Sequence, residues 1–219
     1  MATHKVDFES TPVSPLTEVP RGFRSKTPRR PLGHRRGPSP EPAFIAQPLA
    51  YLNVQVDGRE NSYFEWLGAG IYSTDLRRST PTQSHFLREL RFGFGENFFY
   101  LRVDSFPETL HKLRDCEFRI MLRGNKNLRL MVVIEQGKFV GSLLDTEDVC
   151  ILGPHELVQA AFDRILEVGI GRRLVALIGQ APFTVEVALL RGGLPADVLP
   201  REGSLEVSRG MDAFTWCVH

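Results

Sequence analysis

The residues with the most evident capacity for chemistry lie in one aromatic stretch, 62–70, with the sequence SYFEWLGAG. An extended strand would place Phe64 and Trp66 on one face of this stretch and Tyr63 and Glu65 on the other. An aromatic ring beside a carboxylate can bind a sugar, because the ring stacks on apolar C–H faces while the carboxylate accepts hydrogen bonds from hydroxyl groups. The stretch therefore predicts a carbohydrate-binding site whose candidate contacts are Tyr63, Glu65, Trp66 and Tyr72.

The same rings also have a purely structural interpretation. Large aromatic side chains dominate the cores of β-sandwiches. Core packing is the preferred interpretation for Phe64, whereas Trp66 fits a core position or a sugar contact equally well.

Catalytic motifs are missing from the sequence. It contains no GxSxG, HExxH, P-loop or GxGxxG pattern. None of its six histidines lies three or four residues from another histidine or a cysteine, so a zinc site is not predicted. No pair of acid and base carboxylates can be assigned either. The sequence thus predicts a protein without catalytic residues, metal or cofactor, and a hydrolase in its own right is the weakest hypothesis.

Two β-hairpins are predicted from alternating apolar and polar residues. Residues 90–94 and 99–103 alternate on either side of a Gly-Glu-Asn turn, and residues 118–122 and 128–134 alternate on either side of a Gly-Asn-Lys-Asn turn. A period of two is typical of strands with one buried face, and turn residues between two such runs indicate a hairpin.

Later segments show the same alternation of apolar and polar residues. A strand is predicted over 183–189, with 165–170 as its partner. Short helices are predicted only over 172–178 and over 155–164, and the latter could equally be strand. Many short strands without long intervening helices indicate an all-β fold, namely an antiparallel β-sandwich with one or two short helices; a barrel is the alternative.

The outward face of the two central hairpins is unusually apolar. Its members are Phe98, Tyr100, Met121, Met131 and Val133, which lie among arginines. A face of this kind is either covered by another layer of the same fold or docks a partner, since contiguous exposed apolar patches usually mark interfaces. The candidate interface residues are Phe98, Tyr100, Met121 and Met131.

The first 45 residues differ from the rest of the chain. They carry eight Lys and Arg against four Asp and Glu, and nine of the fifteen prolines lie within residues 1–50. Such a composition cannot bury enough apolar surface to offset the ordering entropy. We therefore expect a disordered, basic, proline-rich leader over 1–45 and one β-sandwich domain over 46–219.

Net charge, cysteine spacing and apolar runs bear on the partners and the cellular location of the protein. A formal net charge of +1 argues against a commitment to nucleic acid or to anionic membrane. The three cysteines are widely spaced, which does not predict a disulfide framework. No apolar run reaches the roughly 20 residues that a membrane helix needs, and no secretory signal is evident. A cytoplasmic location is the default expectation.

Several segments of the sequence together resemble a known protein family. The chain looks like the C-terminal region of bacterial family 57 glycoside hydrolases in VDGRENSYFEWLGAG (56–70), LRELRFGF (87–94), FFYLRVD (98–104), VEVALLRGGLP (185–195) and LPREG (199–203). The resemblance covers about residues 45–208. It implies a β-sandwich that follows a catalytic barrel acting on α-glucans and is similar in build to type 9 carbohydrate-binding modules.

The resemblance implies no activity for this chain. The nucleophile and acid carboxylates of that family lie in the N-terminal barrel, so no catalytic residue can be assigned by similarity. The leading hypothesis is therefore a noncatalytic, carbohydrate-associated domain with an α-glucan or other polysaccharide as partner. The alternative is a structural domain that docks on a catalytic barrel supplied by another chain, without binding sugar itself.

Overall fold

Two antiparallel β-sheets packed face to face form the protein. The computed structural model describes residues 43–73, 85–146, 150–152, 157–179 and 182–208. All of these lie in one compact unit, Pro40–His219. The predicted all-β antiparallel sandwich is confirmed.

The first sheet has six strands in the described part of the chain. In spatial order they are β1 (Phe44–Ala46), β2 (Gly70–Ser73), β3 (Leu87–Phe94), β4 (Phe98–Ser105), β10 (Leu166–Gly171) and β9 (Val158–Phe162).

The second sheet has seven described strands. In order they are β12 (Leu194–Leu199), β11 (Phe183–Arg191), β5 (Cys116–Arg123), β6 (Asn127–Glu135), β7 (Lys138–Thr146) and β8 (Cys150–Leu152), and β13 (Leu205–Val207) also pairs with β11.

The hydrophobic core lies between the two sheets and follows the alternation in the sequence. Phe99, Leu101 and Val103 point inward from β4, and Phe118 and Ile120 point inward from β5. The residues between them on each strand face outward because successive side chains alternate across a strand. Each buried Leu or Phe contributes about 1.5–3 kcal/mol, so the core fixes the register of every central strand.

Both predicted hairpins are present. β3 pairs with β4 and β5 pairs with β6, each in antiparallel register. Two further hairpins close through pairs of residues with positive φ, namely Gln136–Gly137 between β6 and β7 and Gly192–Gly193 between β11 and β12. Positive φ at both central positions is the geometry of a type I′ turn, which matches the twist of the flanking strands.

The predicted pairing of 165–170 with 183–189 is wrong. Both segments are strands, but β10 pairs with β4 and β9, whereas β11 lies between β5 and the strands β12 and β13. The two edges of β11 are therefore already occupied. Alternation predicts a strand and its buried face, but it does not select the partner strand.

The helices match the predictions only in part. An α-helix, α1, spans Arg172–Leu177 as expected, and the ambiguous segment 155–164 contains β9 rather than a helix. A 3₁₀ helix over Pro107–Leu113 was not predicted.

The predicted boundary between leader and domain falls inside a strand. β1 begins at Phe44 and pairs with β2, with Ile45 opposite Tyr72. Residues 1–42 lie outside the described residues, so the prediction of a disordered leader stays a prediction.

Candidate binding surface

A covering segment, residues 47–69, lies on the outer face of the six-stranded sheet. Leu52, Val54, Trp66 and Ala69 form an apolar cluster separate from the core, and Tyr100 of β4 packs against it. The backbone N–H of Leu52 donates to the carbonyl of Phe94 at 2.8 Å. The centre of this sheet is consequently buried on both faces.

Glycine on the outer face lets the covering segment come close. A Cβ atom at Gly93 would lie 2.7 Å from Cδ1 of Leu52, which is shorter than any van der Waals contact. A side chain at this position would force Leu52 to move, so glycine allows the segment to pack at its present distance.

The carboxylate of Glu167 anchors the segment from below. Glu167 lies on β10, faces outward and is 0% exposed. Its Oε2 accepts hydrogen bonds from the backbone N–H groups of Asp57 and Gly58, both at 3.0 Å. Its Oε1 accepts from the indole Nε1–H of Trp66, also at 3.0 Å. One buried side chain thus ties both ends of residues 57–66 to the sheet.

The turn at Gly58 completes this anchor. Gly58 has φ of +78°, and a Cβ there would meet the backbone N of Asp163 at 2.7 Å. Its carbonyl accepts from the backbone N–H groups of Arg164 and Ile165 at 3.0 and 3.2 Å. The left-handed conformation and the close approach both require glycine.

A buried arginine lies beside this anchor. Arg102 of β4 is opposite Glu167 in the strand register and is almost completely buried. Its guanidinium donates to both carboxylate oxygens of Asp104 and, through Nη2, to Oε1 of Glu60 at 3.0 Å. The hydrogen bond from Arg102 lowers the pKa of Glu60. Arg88 also lies 3.8 Å from Asp104, so two guanidinium groups face two carboxylates.

The aromatic stretch is helical, and the predicted extended strand is wrong. Tyr63–Trp66 form a 3₁₀ helix, and the side chain of Ser62 accepts a hydrogen bond from the backbone N–H of Phe64 at 3.2 Å. Serine is a favoured cap because it satisfies a free N–H group at the helix start. The tighter helical turn separates Trp66, which points to the sheet, from Tyr63 and Phe64, which point away.

An exposed apolar patch results on the outer surface of the segment. We define the apolar patch as Leu49, Tyr51, Tyr63, Phe64 and Leu67. Tyr63 and Phe64 are 74% and 77% exposed, and their rings meet edge to face with centroids 6.0 Å apart. The N–H of Leu67 donates to the carbonyl of Phe64, and that of Leu49 donates to the carbonyl of Gly68, so Leu49, Phe64 and Leu67 are neighbours; Tyr51 follows Leu49 by two residues.

The exposed apolar side chains of the molecule are concentrated in this region. Of the ten large hydrophobic residues that are exposed in the described ranges, seven lie between residues 44 and 67. Scattered exposed apolar residues are common, but a contiguous group usually marks a contact surface. The covering segment is therefore the best candidate binding surface in the described part of the protein.

Glu65 is the carboxylate of this surface. It is half-buried between Phe64 and Trp66. Burial raises the pKa of its carboxyl group, and the nearby carboxylates of Glu167 and Asp57 raise the pKa further. A carboxyl group in such surroundings is a strong hydrogen-bond acceptor when ionised.

The predicted sugar contacts do not form one surface. Tyr63 and Glu65 lie at the surface, whereas Trp66 is 4% exposed and Tyr72 is 2% exposed. Tyr72 packs in the core, and its hydroxyl accepts a hydrogen bond from the backbone N–H of Arg201 at 2.9 Å. Neither buried ring offers a face for stacking. Phe64, for which core packing was preferred, is instead exposed.

The predicted interface residues lie on opposite sides of the sandwich. Phe98 and Tyr100 are on the outer face of the six-stranded sheet, and Met121 and Met131 are on the outer face of the seven-stranded sheet. Tyr100 packs under the covering segment, which agrees with coverage by the same fold. The docking role of these residues stays a prediction.

A second polar cluster joins the two sheets at one end. The Oδ2 of Asp197, on β12, accepts from the N–H groups of Phe86 and Leu87 at 2.7 and 2.9 Å. Its Oδ1 accepts from the guanidinium of Arg201 at 2.6 Å. This carboxylate is buried and holds β12 against β3, so its role is structural.

The described ranges contain neither a metal-binding cluster nor a membrane-spanning helix. No group of three or more His, Cys, Asp or Glu side chains there could hold a metal ion. No helix in those ranges is long and apolar enough to cross a membrane.

Comparison of the chain with protein-family models, with curated proteins and with solved structures finds no match in any of the three.

Proposed function

We propose that the domain is a noncatalytic binding domain and that the apolar patch contacts carbohydrate. The observation that carries this proposal is the pair of exposed rings, Tyr63 and Phe64, beside the half-buried carboxyl group of Glu65. The resemblance to the C-terminal region of family 57 glycoside hydrolases makes an α-glucan the first ligand to test.

The arrangement of the two aromatic rings and the carboxyl group suits a sugar ring that bears hydroxyl groups. The edge-to-face rings of Tyr63 and Phe64 form a corner at an interplanar angle of 79°, and each ring is open to solvent. A sugar can stack its apolar C–H face on one ring while a hydroxyl donates to Glu65.

The anchor below the patch favours binding by pre-organisation. Trp66 is held by the hydrogen bond to Glu167, and Ser62 caps the 3₁₀ helix. A surface that is already ordered loses less conformational entropy when it binds, so more of the contact energy appears as affinity.

The surroundings of Glu65 support a noncatalytic role. Both oxygens of the neighbouring Glu167 carboxylate are bound to protein N–H groups. The carboxylate of Asp57 accepts from the backbone N–H of Arg59 and from the side-chain amide of Asn61. Glycoside hydrolysis needs two carboxyl groups that both reach the scissile bond, and the Glu167 carboxylate, which is fully buried, does not reach the surface.

Protein docking is a second candidate for the same surface. Leu49 and Leu67 add aliphatic area to the patch, and Phe44 and Ile45 are also exposed in β1. Aliphatic side chains contribute little to sugar stacking, but they are common in the centre of protein interfaces. In this case the patch contacts a partner protein, such as the catalytic barrel that the resemblance implies.

Titration of the full-length chain with soluble glucans tests the first proposal. Trp66 lies directly under the patch, and a Trp216→Phe background leaves it as the only tryptophan. We expect a saturable change in fluorescence with at least one glucan. Tyr63→Ala and Phe64→Ala should each weaken binding about tenfold, because one stacking ring is worth about 1–1.5 kcal/mol.

Leu194→Ala is the matched control, since Leu194 is an equally exposed apolar residue on β12, away from the patch. Its affinity should equal that of the parent protein. If folded protein, verified by circular dichroism, binds no glucan, the carbohydrate proposal is wrong. Docking then predicts self-association of the isolated chain that Leu49→Ser and Leu67→Ser reduce in sedimentation velocity.

A further inference from the structure

The carboxylates around the patch differ in whether a cation neutralises them. Arg59 pairs with Asp163, and Arg91 pairs with Glu89, at 3.0 and 2.7 Å. Arg88 and Arg102 together face Asp104 and Glu60. The positive charges of the outer face are thus largely used within these pairs.

Three carboxylates beside the patch have no such partner. Within the described ranges, Asp57, Glu65 and Glu167 form no ion pair; Asp57 and Glu167 instead accept hydrogen bonds from uncharged N–H groups. One exposed cation, Arg164, lies close to these carboxylates, since its backbone N–H donates to the carbonyl of Gly58. Two negative charges stay uncompensated at this surface.

Burial of Glu167 strengthens the electrostatic effect of its negative charge on groups at the patch. Glu167 is fully buried, and a buried charge is screened by salt much less than an exposed one. The effect on Glu65 is consistent, since the Glu167 and Asp57 carboxylates both raise the pKa of Glu65, and the smaller opposing effect of Arg102 does not cancel this rise. An anionic group brought to the patch would meet the same repulsion.

We infer that the carbohydrate bound at the apolar patch carries no negative charge. The inference rests on the proposed function and limits its substrate class to glycans without uronate, sulfate or phosphate groups. Carboxylates accept hydrogen bonds from sugar hydroxyls, but they repel a ligand carboxylate or sulfate. The patch therefore selects by charge as well as by shape.

Paired polymers with the same backbone test this selection. Amylopectin is compared with carboxymethyl-amylopectin, and hydroxyethyl cellulose with carboxymethyl cellulose, at low salt and at 0.5 M NaCl. Because the first 45 residues are basic, the test uses the full-length chain with the substitutions Arg29→Gln, Arg30→Gln, Arg35→Gln and Arg36→Gln. The fluorescence of Trp66, with Trp216→Phe, reports binding at the patch alone.

We expect a neutral polymer to bind at least tenfold more tightly than its carboxymethyl partner at low salt. The ratio should shrink only in part at 0.5 M NaCl, because salt screens the exposed carboxylates more than it screens the buried Glu167. Glu65→Gln should lower the ratio, whereas Glu108→Gln should not; Glu108 is an exposed acidic residue in the other 3₁₀ helix. Equal or tighter binding of the anionic polymers at low salt would overturn the inference and leave the proposed function intact. Binding of no polymer would overturn both.

Discussion

The buried carboxylate of Glu167 should be among the most sensitive positions in the domain. Replacing it by Gln keeps the shape of the side chain, but the amide has one oxygen where the carboxylate has two. That oxygen can accept from the two backbone N–H groups or from Trp66, and the amide NH₂ then faces the remaining donor. The substitution therefore breaks one hydrogen bond and weakens the other two.

The expected cost follows from these three bonds. A hydrogen bond to a charged acceptor is worth about 1.5–3 kcal/mol and a neutral one about 1 kcal/mol. One lost bond costs about 2 kcal/mol, two weakened bonds cost about 1 kcal/mol each, and removal of a buried charge returns about 1 kcal/mol. Glu167→Gln should lower the free energy of unfolding by about 3 kcal/mol, which a domain with about 5–15 kcal/mol of stability survives.

Urea denaturation followed by tryptophan fluorescence measures this change. The emission maximum of Trp66 in the folded variant should also change, because its indole N–H loses its charged acceptor. Glu186→Gln is the control; Glu186 also faces outward from a sheet, but it is partly exposed and makes one ion pair with Arg123. That control should change stability by less than about 1 kcal/mol. Equal stability and unchanged emission in Glu167→Gln would refute the assignment of Glu167 as the anchor.

Three further outcomes are expected from single positions. Glu65→Gln should raise the Tm by about 1–2 °C at pH 7. The pKa of the Glu65 carboxyl group is raised in the folded state, so its ionisation above pH 4.5 destabilises the protein, and thermal melts should show the gain disappearing near pH 4. Cys116 should resist iodoacetamide at pH 8 in the folded protein, because burial raises the pKa of its thiol to about 12; labelling without denaturant would contradict this. Asp197→Ala should lower the urea midpoint by an amount equivalent to about 3 kcal/mol, because two buried backbone N–H groups lose their acceptor; an unchanged midpoint would show that these bonds contribute nothing.

Much of the fold could be predicted from the sequence because its information is local. The alternation in 90–94 and 118–122 marks which side chains are buried, and glycine-rich turns mark the hairpins. Pairing between distant strands is not encoded in this way. The partner of β10 depends on which sheet edges remain open after the hairpins form, and no short window of sequence contains that information.

The candidate site could be predicted only in part for the same reason. The stretch 62–70 was recognisable by its composition, but its conformation depends on a partner about 100 residues away, Glu167. A period of two places Trp66 and Phe64 together, whereas the 3₁₀ turn separates them. One signal for Glu167 was present in the sequence, since a lone acidic residue interrupts the apolar run around Leu166 and Val168, but it does not identify what the carboxylate binds.

The covering segment also has a consequence for the dynamics of the domain. It is attached to the sheet by a small apolar cluster, by Glu167 and by a few hydrogen bonds of Leu52, Gly58 and Glu60, while the core between the sheets is built without it. Units that share few contacts with the core can open separately, at a free energy below that of global unfolding. The amides of Asp57 and Gly58, whose acceptor is the Glu167 side chain, belong to this opening unit, so their hydrogen exchange reports the stability of the binding surface rather than that of the sandwich.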